Sequence, residues 1–354
     1  MLWKPVTIIG PWLWWAAVGV AVVGLWIWLT APWDDGNDRW KLVAGQSSVT
    51  YGQVIATGEH EAWAFGWDIL GIAAWIPVAD GPHRPTAFHW DGNRWTRSDF
   101  PVKLGDVGSV AASGPSNVWV TAGGSVLRWD GRVWAVVQAP PGAGGSLAVT
   151  ADNDVRIFGD HKMWHYNGTT WSERSLSFHA FRVSARSASD VWALDGAGPW
   201  VHHFDGEVWT RVDLTPALPK APPPSDDFPP HLGGPQLTAI TADPSGVWIT
   251  GEIGASSFLL FQAGSDWRSE DTSAKAGRMV RGLPPVPDGR GGHWFVGSTD
   301  INGYDSALAH RDPAGRWSRV PSGGELTSLT AVPGGPLLAT GLIGRASGVF
   351  RNLP

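Results

Sequence analysis

The chain has 354 residues and a formal charge of −6, with 25 Trp, 46 Gly, 28 Pro and no Cys. That length exceeds what one ordinary core organises, so two domains or a repeat architecture is expected. The acidic balance lacks the basic face of a nucleic-acid binder. The absence of cysteine excludes disulfides, thiolate catalysis, Cys-ligated zinc, iron–sulfur clusters and covalent c-type haem.

The first element is apolar. From Val6 to Leu29, "VTIIGPWLWWAAVGVAVVGLWIWL", no side chain is charged, which is long enough to cross a bilayer as a helix. Pro11 fits a first helical turn, and a helix from there to Thr30 spans about 30 Å. Trp12, Trp14 and Trp15 then sit near one interface and Trp26 and Trp28 near the other. Lys4 on one side, with Asp34 and Asp35 on the other, orients the N-terminus inside. A cleaved signal peptide is the rival reading, but the run is long for one and "LTAP" is a poor cleavage site. The expected division is a cytoplasmic tail over 1–5, a spanning helix over 6–30, a linker over 31–38 and a second domain over 39–354. This places the bulk of the chain in the periplasm of a bacterial inner-membrane protein. Ala17, Ala21, Gly24 and Trp28 follow i, i+4, i+7, i+11 spacing, a stripe that admits a partner helix, although small residues also suit lipid packing.

From residue 40 onward the chain repeats itself. One motif is a hairpin ending in Val-Trp, as in "VAASGPSNVWVTAG" and "VSARSASDVWALDG", with seven copies; the other is "LRWDGRVW" and its relatives, with six. The second motif closes on Trp95, Trp134, Trp171, Trp209, Trp267 and Trp317, spaced 37 to 58 residues apart. Asp-Gly between apolar runs predicts a two-residue turn, both of whose central residues need positive φ. Each pair of motifs gives a four-stranded meander, and units of this length read as the blades of an all-β propeller. The closing Trp suits packing between blades. The seventh copy of the second motif is split: "SGVFRN" at the C-terminus stops where the turn belongs, and "DDGNDRWKLV" supplies the outgoing strand. Trp40 therefore pairs beside Phe350 and Arg351, closing a seven-bladed ring and removing its open edges.

At "VAASGPSNVWVTAGGSVLRWDGRVW" the chain resembles bacterial seven-bladed propellers related to photosystem II assembly factors and to BNR-type, sialidase-like repeats; the resemblance covers about residues 40 to 354. Likeness to the assembly factors implies a non-catalytic role, holding subunits of a membrane complex. Sialidase-like members carry Ser-x-Asp-x-Gly-x-x-Trp, whereas here the Gly follows the Asp directly in most copies.

Chemistry is sparse. A sialidase-like site needs a Tyr nucleophile, and only Tyr51, Tyr166 and Tyr304 exist; Tyr166 occupies the place of Trp129 or Phe204 in other blades, which reads as packing. His89, His165, His203 and His310 share one repeat register, filled by Arg128 and Arg351 elsewhere, so they read as architecture rather than as a metal set. "DINGYD", Asp300 to Asp305, offers oxygens without a complete calcium spacing. Arg156 replaces the hairpin Trp in the third blade, either as repeat drift or as an arginine reaching for a partner. No cofactor is expected, and an anchor without His offers no imidazole to a chlorophyll.

Two insertions interrupt the repeat. "GWDILGIAAWIPVADGPHRP", from Gly66, lies between the second and third strands of blade one, and residues 213–235, with eight prolines, join blades four and five. A meander puts both on one face, opposite the Asp-Gly turns, and the short linker brings the Asp-Gly face nearer the membrane. Leu70, Ile72, Trp75 and Ile76 are then a candidate protein-docking patch, unless the segment folds back as extra strand. The expected function is that of a non-catalytic, membrane-anchored subunit or assembly factor whose partners are membrane-complex subunits and the bilayer. The alternative is a glycan-binding protein or glycoside hydrolase working at a pocket on the propeller axis.

Overall fold

The computed structural model describes residues 39–45, 49–69, 83–103, 105–220, 234–254, 256–298, 306–344 and 346–352. Among them no helix is long and apolar enough to cross a membrane. The expected span over 6–30, with Ala17, Ala21, Gly24 and Trp28, lies outside the described residues, as do Tyr304, the "DINGYD" loop and the patch at Leu70, Ile72, Trp75 and Ile76.

Seven antiparallel sheets succeed one another around a ring, each a meander of strands that runs outward from the axis. Blade two is representative: Val107–Gly114 lies innermost, followed by Asn117–Ala122, Ser125–Trp129 and Trp134–Val137. The second strand of a blade is buried on both faces, so its run is continuously apolar; Val118, Trp119 and Val120 are fully enclosed. The outer strand keeps only its Trp inside, because one of its faces meets water.

Those Trp residues join neighbouring blades. Trp134 meets Trp63 of blade one edge-on, with centroids 5.1 Å apart, and Trp171 meets Trp119 of blade two in the same way at 6.3 Å. Trp209 on Phe158 and Trp267 on Trp192 repeat the arrangement. Each ring removes about 150–250 Å² from water while its edge-to-face geometry adds specificity.

The outer turns differ from the two-residue form that Asp-Gly predicts. Trp90 pairs with Trp95 and Trp129 with Trp134, so four residues form each loop. Only the glycine has positive φ: Gly92, Gly131, Gly168 and Gly206 lie at 94–104°, and His161 is the sole non-glycine there among the described residues. The physical reason is the side chain before each glycine. Asp130 Oδ1 accepts the backbone N–H groups of Arg132 and Val133 at 2.8 and 2.9 Å, and Asp91, Asn167 and Asp205 do the same. An Asx turn thus replaces the tighter hairpin.

Blade six breaks its inner strand into Arg278–Met279 and Val286–Pro287, both paired to His293–Ser298. Pro284, Pro285 and Pro287 cannot donate to a ladder, which limits the pairing there. Blade seven is composite. Its inner three strands are Gly324–Ala331, Leu337–Ile343 and Ala346–Asn352, and its outer strand is Trp40–Ala44, with Trp40 opposite Asn352, Lys41 opposite Arg351 and Leu42 opposite Phe350. Trp40 and Phe350 are both fully buried in one cluster with Leu308 and Leu326.

Candidate functional site on the ring axis

The titratable residues of the repeat are occupied in holding blades together. His89 pairs with Glu61, His165 with Asp154 at 2.8 Å, His203 with Asp190 at 3.0 Å and His310 with Asp288 at 2.8 Å, each within its own blade. Where the second strand supplies a Trp, the imidazole packs on it: His89 stacks on Trp63 and His310 lies tilted on Trp294, both at 4.3 Å. Blade two replaces the imidazole by a guanidinium: Arg128 lies over Trp119, and both donate to Asn117 Oδ1. Blade five carries Phe261 at that register, and its missing imidazole arrives from blade six. His293 lies tilted against Trp248 at 4.2 Å and meets Asp243 Oδ2 at 2.6 Å. Tyr166 packs against Trp119 and Trp171, and its hydroxyl donates to the Gly168 carbonyl.

Arg156 reaches no outside partner. It is 5% exposed, pairs with Asp154 at 2.9 Å, donates to the Ala188 carbonyl of blade four at 2.8 Å and lies over Phe204. It bridges blades three and four from the slot in which other blades bury an indole.

The first insertion begins later than the repeat suggests. Residues 66–69 and 83–86 pair as strand, Gly66 with Thr86, Trp67 with Pro85 and Asp68 with Arg84, leaving 70–82 outside the described residues. Its root is fixed by a carboxylate between two guanidiniums. Asp68 is buried and bonded to Arg84 at 2.8 Å and to Arg97. Burial pushes the Asp68 carboxyl up, but the two arginines outweigh it and hold it below the usual range. A second such knot stands beside the residues that follow the proline-rich insertion: Arg278 and Arg281 each approach buried Glu252 at 3.4 Å, and Arg281 also bonds Gln236. The described residues that flank both insertions therefore stand on the face opposite the Asx turns.

On that face the axis opens as a cavity of about 780 Å³. One sequence register of the inner strands, ten residues before each hairpin Trp slot, holds Gln53, Ser109, Ser146, Arg182, Thr238 and Ser328. Five of these line the cavity, together with other residues of the first and second strands and residues 282–284 of blade six; Thr238 turns aside to Thr250. This register is inconspicuous in the sequence, because the recurring Trp and His positions stand out and the residues ahead of them are small and varied. Comparing the six copies column by column finds it: five are short or neutral polar residues and one is arginine. Among the described residues, no cluster of three or more His, Asp or Glu is arranged to hold a metal.

No protein-family model matches the chain, and no curated protein sequence matches it. Solved structures do. YCF48 bound to D1 peptide superposes with a TM-score of 0.60 at 14% identity, covering 91% of this chain and 99% of that one. A catalytically inactive virginiamycin B lyase from Staphylococcus aureus, in complex with quinupristin, gives 0.58 at 12% identity over 89% and 100%. YCF48 from Cyanidioschyzon merolae gives 0.56 at 16% identity over 89% and 98%. Likeness at these identities is likeness of fold, and the chain shares with these structures the architecture of the propeller.

Proposed function

We propose that this chain is a non-catalytic, membrane-anchored propeller that acts as a stabilising or assembly subunit of a multi-subunit membrane complex, photosynthetic or respiratory by analogy. The observation that carries the reading is that the described roots of both insertions stand on one face beside buried carboxylate–arginine knots. A rigid platform that fixes the roots of two long loops is how propellers and other scaffolds present binding segments. The apolar run over 6–29 supports a bilayer on the other side of the linker. The likeness in fold to YCF48 bound to D1 peptide supports a polypeptide as the class of partner.

The reading is tested by purifying the full chain in mild detergent and identifying what comes with it by mass spectrometry. Stoichiometric recovery with integral membrane proteins is expected. Recovery of the chain only as an isolated monomer, under conditions that keep other membrane complexes whole, overturns the reading.

A further inference from the structure

We propose that the axial cavity is a receptor for a carboxylate, with Arg182 as the cation that anchors it. This goes beyond the scaffold reading and stands without it, since it concerns the ring alone.

The register that lines the cavity holds one fixed positive charge, and that charge has no carboxylate partner among the described residues. Arg182 Nη1 donates to the Phe181 carbonyl at 3.2 Å, and its guanidinium carbon lies 4.3 Å from the Phe181 ring centroid. The side chain crosses toward blade six, where a Cβ placed on Gly282 would stand 3.3 Å from Nη2. The other titratable groups on the wall are Asp160 and His179. Asp160 is 85% exposed on its turn and lies 3.8 Å from His161. Burial lowers the Arg182 pKa with no neighbouring anion opposing it. A half-buried guanidinium held by one carbonyl keeps most of its five N–H donors for something else.

The hydroxyls around it are turned the same way. Ser109 Oγ accepts from the Leu147 N–H at 3.0 Å, Ser328 Oγ from the Val54 N–H at 3.1 Å and Thr330 Oγ1 from the Ala56 N–H at 3.1 Å. One lone pair of each is engaged in linking adjacent inner strands, and each O–H remains to donate. Ser146 Oγ already donates to the Phe181 carbonyl and Gln53 Nε2 to the Gly108 carbonyl; the donors left to a ligand are those of Arg182 and the three hydroxyls, and they call for a ligand that accepts. One guanidinium fits one planar monoanion through two parallel hydrogen bonds, which describes a carboxylate better than a dianionic phosphate. Phe181, 37% exposed at the mouth, supplies an apolar surface for the body behind the charge. A cavity of about 780 Å³ admits a small organic acid or the last few residues of a polypeptide.

Two probes separate those sources: 3-phenylpropionate, and N-acetyl-Gly-Gly-Phe with either a free or an amidated C-terminus. Each is titrated into the purified full chain in detergent by calorimetry. Arg182→Ser installs the residue that three other blades carry at this register, so the ring is expected to keep its melting temperature. Saturable binding of the free acid, or of the free-carboxyl peptide alone, is expected, weakened at least tenfold by Arg182→Ser and by added salt. The first result assigns a small-acid ligand and the second a polypeptide C-terminus. The proposal fails if the amidated peptide binds as well as the free one, if Arg182→Ser binds undiminished, or if no probe binds.

Discussion

The indole of Trp192 lies against the imidazole of His203 with centroids 4.2 Å apart, and both rings hydrogen-bond the same oxygen, Asp190 Oδ1, at 2.7 and 3.0 Å. The arrangement ties the second and third strands of blade four to the hairpin in which the acid stands. Removing the ring, Trp192→Ala, is expected to cost about 3–5 kcal/mol. Asp190→Ala leaves three buried or half-buried donors, the Trp192 indole, the His203 imidazole and Arg186 Nε, without this acceptor and is expected to cost about 1–3 kcal/mol. Because the two share a bond, the double variant should lose less than the sum, which denaturant titration of the four proteins measures.

The same acids set an acid limit on the ring. Burial pushes the carboxyls of Asp154, Asp190, Asp243 and Asp288 up, but hydrogen bonds from histidine and other donors outweigh burial and hold each below the usual range. Folded values below the unfolded one, about 3.9, mean that these groups contribute stability fully above that pH. The contribution is lost as pH falls below it, through the folded values. The melting temperature should therefore drop steeply below about pH 4, and Asp190→Asn should shallow the drop. A melting temperature constant from pH 4 to pH 2.5 contradicts this account.

Trp40 and Phe350 set the limit on ring closure. Deleting residues 36–44 exposes the edge of Ala346–Asn352 and empties the slot that buried Trp40 fills among Leu308, Leu326 and Phe350. An unpaired, apolar edge strand invites pairing between molecules. The expected outcome is a lower, broadened thermal transition with soluble aggregates on size exclusion, and Trp40→Ala alone should cost about 3–5 kcal/mol. A deletion variant that melts sharply at the parent temperature shows that the ring closes without this strand.

How much of this was legible follows from which interactions are periodic. The seven meanders, the split seventh blade and the architectural role of His89, His165, His203 and His310 were legible, because each recurs at a fixed register in the sequence. The turn geometry was misread, because Asp-Gly serves both a two-residue hairpin and a four-residue Asx turn. Only the next two residues, which Asp130 or Asp91 captures through Oδ1, decide between them. His293 escaped notice for the opposite reason: it serves blade five from blade six, and a contact made in trans leaves no mark in the register of the blade it completes. Arg182 escaped because a single cation is visible only once the inner strands converge.

Arg156 tests whether the repeat's consensus is also its most stable state. It fills an indole's slot with a buried guanidinium whose Nη1 has no hydrogen-bond partner, and burial lowers its pKa despite the opposing attraction of Asp154. Its partner Asp154 is already bonded to His165 and Thr150. Replacing a buried ion by a packed apolar group of similar size is often neutral or stabilising, whereas removing one partner alone leaves the other charge in a dry site. Arg156→Ala is therefore expected to cost about 3 kcal/mol. Arg156→Trp is expected to match or exceed the parent, its indole N–H donating to Asp154 as that of Trp192 does to Asp190. Thermal and urea denaturation of both variants decides it: a Trp variant as unstable as the Ala variant would mean that the contact of Arg156 with Ala188 and Phe204, rather than drift of the repeat, holds blade three to blade four.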